Sequence, residues 1–225
     1  MRTSFLIMLF LTIGMSLHSQ NDSAHMIKYT PDFKFKEGVY VNFEQVRANN
    51  PIPKSRILTD VGYDDPYFFD RITENKRIFY YDNNGVKQEI PVSNIWGYSR
   101  NGVLYIGIND GFYRITIVGS ICHFVANLTT YSSNYYSYPY YNYYDYNPYG
   151  INTTPRNTTE MRQYLIDFST GRVMDYDIST VEVLLMKDPE LHDEFMALRN
   201  KKKKQLKFLY IRKFNERNPL YFPNN

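Results

Sequence analysis

The chain has a single cysteine among its 225 residues, so it cannot close an internal disulfide and packing must stabilise the fold. Cys122 lies in the apolar run IVGSICHFVA and is interpreted as a small buried hydrophobic residue. Histidine is also scarce, with four residues in the chain. No group of cysteines and histidines has the spacing of a zinc or iron site. The sequence therefore predicts neither a metal nor a cofactor.

The motifs of common enzyme classes are absent as well. The sequence has no G-x-S-x-G serine elbow, no phosphate-binding glycine loop and no dinucleotide fingerprint. Cys122 and His123 are neighbours on a predicted strand, so their side chains point to opposite faces and cannot act as a nucleophile and its base. The segment YDDPYFFD groups Asp64, Asp65 and Asp70. We interpret it as a solvated loop, whereas a glycoside-cleaving carboxylate pair would depend on the separation of these groups in space. No catalytic residue is predicted.

Long apolar runs are confined to the N-terminus. Arg2 precedes the eleven-residue run FLIMLFLTIGM, and the small residue Ser19 follows directly before Gln20. This order is typical of a secretory signal peptide, and the run is shorter than the about 20 residues that span a bilayer. We predict that residues 1–19 are cleaved, that the chain is exported to the periplasm, the outer envelope or the medium, and that the mature part has no transmembrane segment.

Charge is unevenly distributed. Residues 20–198 carry 16 basic and 22 acidic side chains, whereas residues 199–217 carry nine basic and one acidic. The basic stretch contains four consecutive lysines: Lys201, Lys202, Lys203 and Lys204. Consecutive helical residues point in different directions, so these lysines predict a solvated surface near a helix C-terminus, with an anionic lipid or polysaccharide surface as the alternative partner. Because a signal peptide removes the protein from nucleic acid, no nucleic-acid partner is expected.

From Lys76 onward, apolar and polar residues alternate and turn signals recur, which predicts an antiparallel meander. Four turn signals each separate two predicted strands: Asn83-Asn84-Gly85, Asn101-Gly102, Asp110-Gly111 and Thr170-Gly171. Two-residue loops at the second and third of these signals specify the pairing of the strands. The predicted pairs on an apolar face are Ile108 with Tyr113, Ile106 with Ile115, Leu104 with Ile117 and Ile95 with Ile108. The predicted pairs on the other, more polar face are Tyr105 with Thr116, Gly107 with Arg114 and Trp96 with Gly107.

Helix signals flank this meander. Near the N-terminus, Asn42 is a predicted N-cap with Gln45 as its capping-box partner, and Phe43 and Val46 share the helical face that follows. Near the C-terminus, the apolar residues of ISTVEVLL have helical spacing, and Asp188-Pro189 predicts an N-cap followed by proline at the first helical position. A stripe of apolar residues continues from there: Leu191, Phe195, Leu198, Leu206, Leu209, Tyr210 and Phe214. Residues 189–216 form either one helix or two, broken near Asn200.

A tyrosine tract interrupts the strands. Ten of residues 131–150 are tyrosine, and between Leu128 and Thr158 the single aliphatic residue is Ile151. Such a stretch predicts a long loop or disordered excursion over about residues 128–158. Its phenols either lie on the sheet surface or form a contact surface for sugar rings or another envelope protein, since tyrosine offers contact area at low entropy cost. The candidate binding residues are Tyr135, Tyr136, Tyr140, Tyr141, Tyr143 and Tyr144, together with the four lysines.

Four segments, residues 37–51, 95–106, 112–120 and 213–223, resemble an uncharacterised family of exported Bacteroidota proteins. The resemblance covers most of the mature chain except the tyrosine tract. It implies a bacterial envelope context, and it transfers no catalytic residue because the family has no assigned activity. Asp22-Ser23-Ala24 is similar to the three-residue O-glycosylation acceptor of such bacteria, with Ser23 as the modified residue.

These observations predict an α+β fold: an antiparallel meander or partly closed barrel, followed by a C-terminal helical segment. Residues 20–177 form the β-rich part that carries the tyrosine tract, and residues 178–225 form the helical segment packed on it. The expected function is that of a non-catalytic interaction or structural module of the cell envelope. The alternative is a glycan-binding or glycan-cleaving accessory protein.

Overall fold

A computed structural model describes residues 26–109, 111–132 and 156–224. Within them lie twelve strands and five α-helices. The strands are β1 (Met26–Lys28), β2 (Gly38–Tyr40), β3 (Ile57–Leu58), β4 (Arg77–Tyr81), β5 (Lys87–Pro91), β6 (Gly97–Arg100), β7 (Val103–Ile108), β8 (Gly111–Ile117), β9 (Ile121–Ser132), β10 (Arg156–Asp167), β11 (Arg172–Asp175) and β12 (Tyr221–Pro223). The helices are α1 (Phe43–Arg47), α2 (Phe68–Thr73), α3 (Ile178–Leu185), α4 (Pro189–Met196) and α5 (Asn200–Arg217).

The main sheet has seven antiparallel strands in the order β11-β10-β9-β8-β7-β6-β2 and curls into a half-barrel. Strands β6 to β11 are neighbours both in sequence and in the sheet, which confirms the predicted meander. A three-stranded sheet, β3-β4-β5, and a two-stranded sheet, β1-β12, complete the β structure. With helices after the strands, the fold is α+β as predicted. No helix in the described ranges is long and apolar enough to cross a membrane.

Both faces of the main sheet carry a hydrophobic core. On one face, alternate residues of β7, β8 and β9 enter a cluster that contains Ile106, Ile115 and Phe124. The returning C-terminal strand β12 also reaches this cluster, where the ring of Phe222 is stacked on that of Phe33 at a centroid distance of 4.8 Å. Because Phe222 is fully buried, the C-terminal segment belongs to the core.

Two separate layers cover the opposite face. At the β9–β10 end, helices α3, α4 and α5 pack against Ile121 and Leu165. At the β6–β7 end, α2 and the three-stranded sheet pack against Tyr98, whose ring is stacked between those of Phe69 and Tyr105 at centroid distances of 4.8 and 4.9 Å. The face that the sequence predicted to be more polar is therefore a second core, because its aromatic residues have partners from distant segments.

One hairpin register differs from the prediction. In β7 and β8, Ile106 lies opposite Tyr113 and Ile108 opposite Gly111, so the pairing of the two strands ends two residues earlier in β8 than predicted. Asn109 adopts a φ of 52°, a left-handed conformation that asparagine tolerates. The pairing is displaced by two residues, and a displacement of two keeps each side chain on its predicted face. Leu104, Ile106 and Ile115 are accordingly buried together.

The register of β6 and β7 is confirmed, but the residues before β6 lie on the opposite faces from those predicted. Gly97 lies opposite Ile106, as a loop at Asn101-Gly102 requires. Ile95 packs in the cluster of Tyr98, whereas Trp96 packs on the face of Ile106. The alternation breaks because these residues lie between a 3₁₀ turn and the start of β6. In addition, the backbone N–H of Trp96 donates to the carbonyls of Tyr40 and Val41 at the end of β2.

The strands on both sides of the tyrosine tract extend further than the predicted loop of about residues 128–158 allows. Strand β9 continues to Ser132 and β10 starts at Arg156, with Thr129 opposite Thr159. Leu128, predicted as the start of the loop, is buried in the core. These strand ends are rich in threonine, which favours β structure, but they lack the apolar alternation that would have identified them. Residues 133–155 lie outside the described ranges.

The two predicted N-caps are confirmed, although the Gln45 side chain accepts from the Val41 N–H, at 2.7 Å, and not from that of Asn42 as in a capping box. The Asn42 side chain accepts from the Gln45 N–H at 2.9 Å, and the Asp188 side chain accepts from the Leu191 N–H at 3.2 Å ahead of Pro189. The C-terminal helical region consists of two helices, α4 and α5, which are separated at residues 197–199. In α5, Leu209 is exposed and Ile211 is buried. The prediction that Leu209 belongs to the apolar stripe is therefore wrong, because the break before Asn200 starts a new helix with a new orientation.

Candidate interaction site

Strands β9 and β10 form a long two-stranded ribbon, paired from Ile121–Asp167 to Ser132–Arg156. On the outer side of β10, β11 pairs with Tyr164 to Asp167, and the Tyr176 N–H extends the contact to the Gln163 carbonyl. From Thr159 to Gln163 every residue of β10 is exposed. Among the described strands none pairs with the outer edge before Gln163, so this part of β10 is an open sheet edge. The tyrosine tract joins the two strands at this end of the ribbon.

Helix α5 lies beside the open edge. Between them runs a shallow groove with a volume of about 770 Å³, which we call the ribbon–helix groove. Its lining residues come from β10, the end of β11 and α5: Glu160, Met161, Arg162, Gln163, Asp175, Tyr176, Lys204, Lys207 and Phe208. The Asn215 side chain holds α5 to β9, since it accepts from the Ile121 N–H and donates to the Ile121 carbonyl, both at 2.8 Å.

The groove combines aromatic and basic groups. The Lys207 ammonium lies 3.5 Å from the centroid of the Tyr176 ring and donates to the Tyr176 carbonyl at 2.6 Å. Burial lowers the pKa of Lys207 from its ordinary value. Arg162 forms an ion pair with Glu160 at 2.8 Å, whereas Lys204 is exposed and has no ion pair with a described side chain. Lys204 is thus the basic group of the groove that is available to a partner.

His123 lies behind the groove and contacts three of its lining residues. Its ring is 3.1 Å from the Gln163 Oε1 and 3.2 Å from the Thr116 hydroxyl, and it meets the rings of Tyr176 and Phe208 edge-on. Burial lowers the pKa of His123, and the nearby charge of Lys207 acts in the same direction, against the hydrogen bond to Gln163. The imidazole is therefore neutral at neutral pH. Cys122, its neighbour, points to the opposite face and is buried in the core, where burial raises its pKa to about 12. The two side chains form no catalytic pair, as predicted.

We expect His123 to make stability depend on pH. Its pKa in the folded chain is below the 6.5 of an unperturbed imidazole, so below about pH 6.5 the unfolded chain binds a proton that the folded chain does not. Its stabilising contribution is complete above that pH and is lost as the pH falls through the folded pKa. Urea unfolding of the wild type between about pH 7 and 5.5 should show a falling free energy of unfolding.

The variant His123→Gln should have a flatter profile over the same interval, with His192→Gln on helix α4 as the matched control. Carboxylates such as Asp177, whose pKa is lowered by the Thr180 N–H, titrate below this window. If His123→Gln and the wild type lose stability in parallel, His123 is not the group responsible.

The four predicted lysines do not share one environment. Lys201, Lys202 and Lys204 are exposed. Lys203 is buried: its ammonium contacts Glu182 of α3 at 2.7 Å and lies 5.6 Å from the centroid of the Phe195 ring. The expectation that all four form a solvated surface is therefore wrong for Lys203. Their predicted place near a helix C-terminus is wrong as well, because they occupy the first turn of α5.

A second cleft, of about 520 Å³, brings a serine hydroxyl and a lysine ammonium together. The Lys187 ammonium donates to the Ser169 hydroxyl at 2.7 Å and to the Asp167 carboxylate at 2.6 Å. Burial acts to raise the pKa of Asp167, but the hydrogen bonds from Lys187 and Ser169 hold it below its ordinary value. An amine that is ion-paired with a carboxylate is an ammonium and cannot take a proton from serine. This arrangement fastens the β10–β11 turn to the end of α3.

The acidic segment has structural partners. Asp70 accepts from the Tyr98 hydroxyl at 2.9 Å and pairs with Arg100 at 2.5 Å, while Asp65 pairs with Arg71 at 2.9 Å. These bonds hold α2 and the loop before it against the main sheet. In residues 26–109, 111–132 and 156–224, no group of histidine, cysteine and carboxylate side chains could hold a metal ion.

Comparisons with protein-family models, with curated proteins and with solved structures found no match. The candidate site therefore rests on its own geometry.

The remaining site residues predicted from sequence lie outside the described ranges. They are Ser19, Gln20, Ser23, Tyr135, Tyr136, Tyr140, Tyr141, Tyr143 and Tyr144. Of the groove residues, Lys204 was predicted from the sequence as a binding residue, whereas Met161, Tyr176 and Phe208 were not. An exposed Met161 in a strand and an exposed Phe208 in a basic helix are apolar residues in polar surroundings, and this was the available signal.

Proposed function

We propose that the protein is a non-catalytic interaction module of the cell envelope that binds a partner protein through the ribbon–helix groove. One observation carries the proposal: the strand that follows the tyrosine tract and the helix that carries the lysines border the same groove. The strand and the helix are separated by more than thirty residues in sequence, and the tyrosine tract and the lysines that they carry or adjoin are the candidate binding elements predicted from sequence.

The shape and composition of the groove fit a macromolecular partner. It is shallow, and its exposed apolar groups include Met161, 69% exposed, and Phe208, 37% exposed. Aromatic and methionine side chains are enriched at protein interfaces. Lys201 and Lys204 add positive charge on one side of the first turn of α5, which favours association with an acidic surface. Export to the envelope is part of the proposal and rests on the signal-like N-terminus.

A pull-down from envelope extract tests this function. We expect the chain from Gln20 to capture a defined protein and the variant Lys204→Glu to capture several-fold less, because it reverses the available charge in the groove. Lys202→Glu is the matched control, since residue 202 lies on the opposite side of the helix from residue 204. Equal capture by both variants would place the interface elsewhere. Mass spectrometry of the native N-terminus tests export, and an intact Met1 in the cytosol would exclude it.

Glycan binding is a second candidate, favoured by the loop before α2. Tyr67 is 61% exposed beside Asp64 and Asp65, and the loop is fixed because the Tyr67 N–H donates to Asp65 at 2.8 Å. An exposed ring next to hydrogen-bond acceptors can stack on a sugar. A glycan array distinguishes the two candidates. A blank array with a captured protein supports the interaction module, and array signals that are lost in Tyr67→Ala support glycan binding.

A further inference from the structure

We infer that the open edge of β10 accepts an extended, acidic peptide segment of the partner protein as an added antiparallel or parallel strand. This inference rests on the proposed function and specifies the chemistry of the partner. Its first support is the outer edge of β10 from Thr159 to Arg162, where every residue is exposed and no described strand pairs with the edge. An unpaired edge is a template for strand addition.

The direction of the free backbone groups follows from the neighbouring bonds. The Gln163 carbonyl accepts from the Tyr176 N–H, and the Asp167 carbonyl accepts from the Gly171 N–H. Both residues therefore point their backbone groups away from β9. In a strand, alternate residues point these groups to the same side, so Thr159 and Met161 also point theirs outward. The backbone groups of Glu160 and Arg162 are directed at β9.

Side chains define what the added strand should carry. Met161 and Gln163 have the same parity as Leu165, so they project from the face of the ribbon on which α5 packs. Alternate side chains of an added strand would point to that same face, toward Lys204 and Phe208. Lys201 and Lys204 are exposed on one side of α5 without ion pairs to described residues. Carboxylates at alternate positions of the peptide would meet these ammonium groups.

The side chains of β10 would also prevent its open edge from pairing with unrelated strands. Natural edge strands are protected from indiscriminate pairing by charged side chains, and Glu160 and Arg162 carry such charges here. They form an ion pair with each other, and their side chains lie on the face away from α5. The face toward α5 carries Met161 and the neutral Gln163, so it leaves room for an acidic strand and sets no like charge against it.

Peptide binding tests the inference directly. The probe is a fluorescein-labelled eight-residue peptide in which glutamate alternates with valine, titrated by anisotropy against the chain from Gln20, which contains every described element. Two N-methylated versions carry the methyl groups on the valine nitrogens or on the glutamate nitrogens. In an added strand, the N–H groups of alternate residues point toward β10 and the remaining N–H groups point away from it. We therefore expect one methylated version to bind about tenfold more weakly and the other to bind as the parent does. A lysine–valine peptide should not bind.

Substitutions of Met161, on the open edge of β10, provide a second test of strand addition. Met161→Pro removes an outward N–H and leaves the β9–β10 bonds intact, because proline is accepted where the N–H faces away from the ladder. The reference is Met161→Ala, which keeps the N–H and removes only the side chain, and we expect Met161→Pro to bind the peptide about tenfold more weakly than this reference. Thermal melts of both variants confirm that they are folded.

Other outcomes overturn the inference. Equal binding of both N-methylated peptides, or no binding of the parent peptide, would exclude strand addition. Self-association of the wild type that Met161→Pro abolishes would identify a second copy as the occupant, and binding to anionic vesicles that is equal in both variants would identify a lipid surface. If envelope capture depends on Lys204 while the peptide does not bind, the proposed function stands and the inference fails.

Discussion

Replacing Ile106 with alanine is expected to lower the free energy of unfolding by about 2–5 kcal/mol, the usual cost of removing a large aliphatic side chain from a core. Ile106 is 1% exposed and lies in the middle of β7, where it packs with Leu104, Ile115 and Phe124. Neighbouring strands on both sides prevent the backbone from closing the cavity, so the cost should lie well above that of a surface change. Urea unfolding monitored by circular dichroism measures it.

The comparison variant replaces residues 134–150 with a Gly/Ser linker of equal length. Its free energy of unfolding should be close to that of the wild type, because loop sequence contributes little when the anchoring strands are intact. The described ladder of β9 and β10 ends at Ser132 and Arg156, so the replacement leaves every described pair in place. If the linker variant is destabilised as much as Ile106→Ala, the tyrosines are packed structure. A linker variant that folds normally and loses the captured partner identifies the tract as part of the binding surface.

Removing the carboxylate of Glu182 should also have a large effect. Glu182→Leu leaves the Lys203 ammonium, whose side chain is 7% exposed, without its partner. Breaking a buried ion pair from one side costs about 3–5 kcal/mol. Because Glu182 keeps about a quarter of its surface exposed, we expect about 3 kcal/mol, the lower end of that range. Chemical denaturation at neutral pH is the measurement.

The double variant Glu182→Leu with Lys203→Met should recover most of the loss, since an apolar pair of similar volume carries no desolvation penalty. Lys202→Met on the exposed side of α5 is the control and should change stability by less than about 0.5 kcal/mol. A Glu182→Leu variant as stable as the wild type would mean that the Lys203 ammonium finds water or another acceptor, and the pair would then have no structural importance.

The elements that sequence predicted correctly are those that local physics specifies. The Asn42 cap, the proline after Asp188 and the turn at Asn101-Gly102 each depend on residues within one turn of the chain. Alternating hydrophobicity likewise predicted that Ile106 and Ile115 lie on the same buried face, because the alternation is visible within each strand whatever the strand packs against. Even the wrong register of β7 and β8 kept that face, since the displacement was by two residues.

The errors arose where distant segments compete with the local pattern. Trp96 leaves the alternation because its N–H is bound at the edge of β2. Tyr105 was predicted to lie on a more polar face, but it stacks on Tyr98, which in turn stacks on Phe69 of α2, about thirty residues earlier in sequence. Lys203 looked like any surface lysine, since its burial depends on how α3 packs against α5. No window of the sequence contains these pairings.

The sequence by itself determined the α+β class, the meander and the caps, because turn chemistry and periodicity act between near neighbours. Tertiary structure alone decided which elements meet. It placed α5 beside the open edge of β10, buried Lys203 and left Lys204 exposed, and brought His123 under Tyr176 and Phe208. The physical reason is that these contacts depend on the crossing of a helix over a curled sheet, and that geometry follows from the burial of all the apolar faces together.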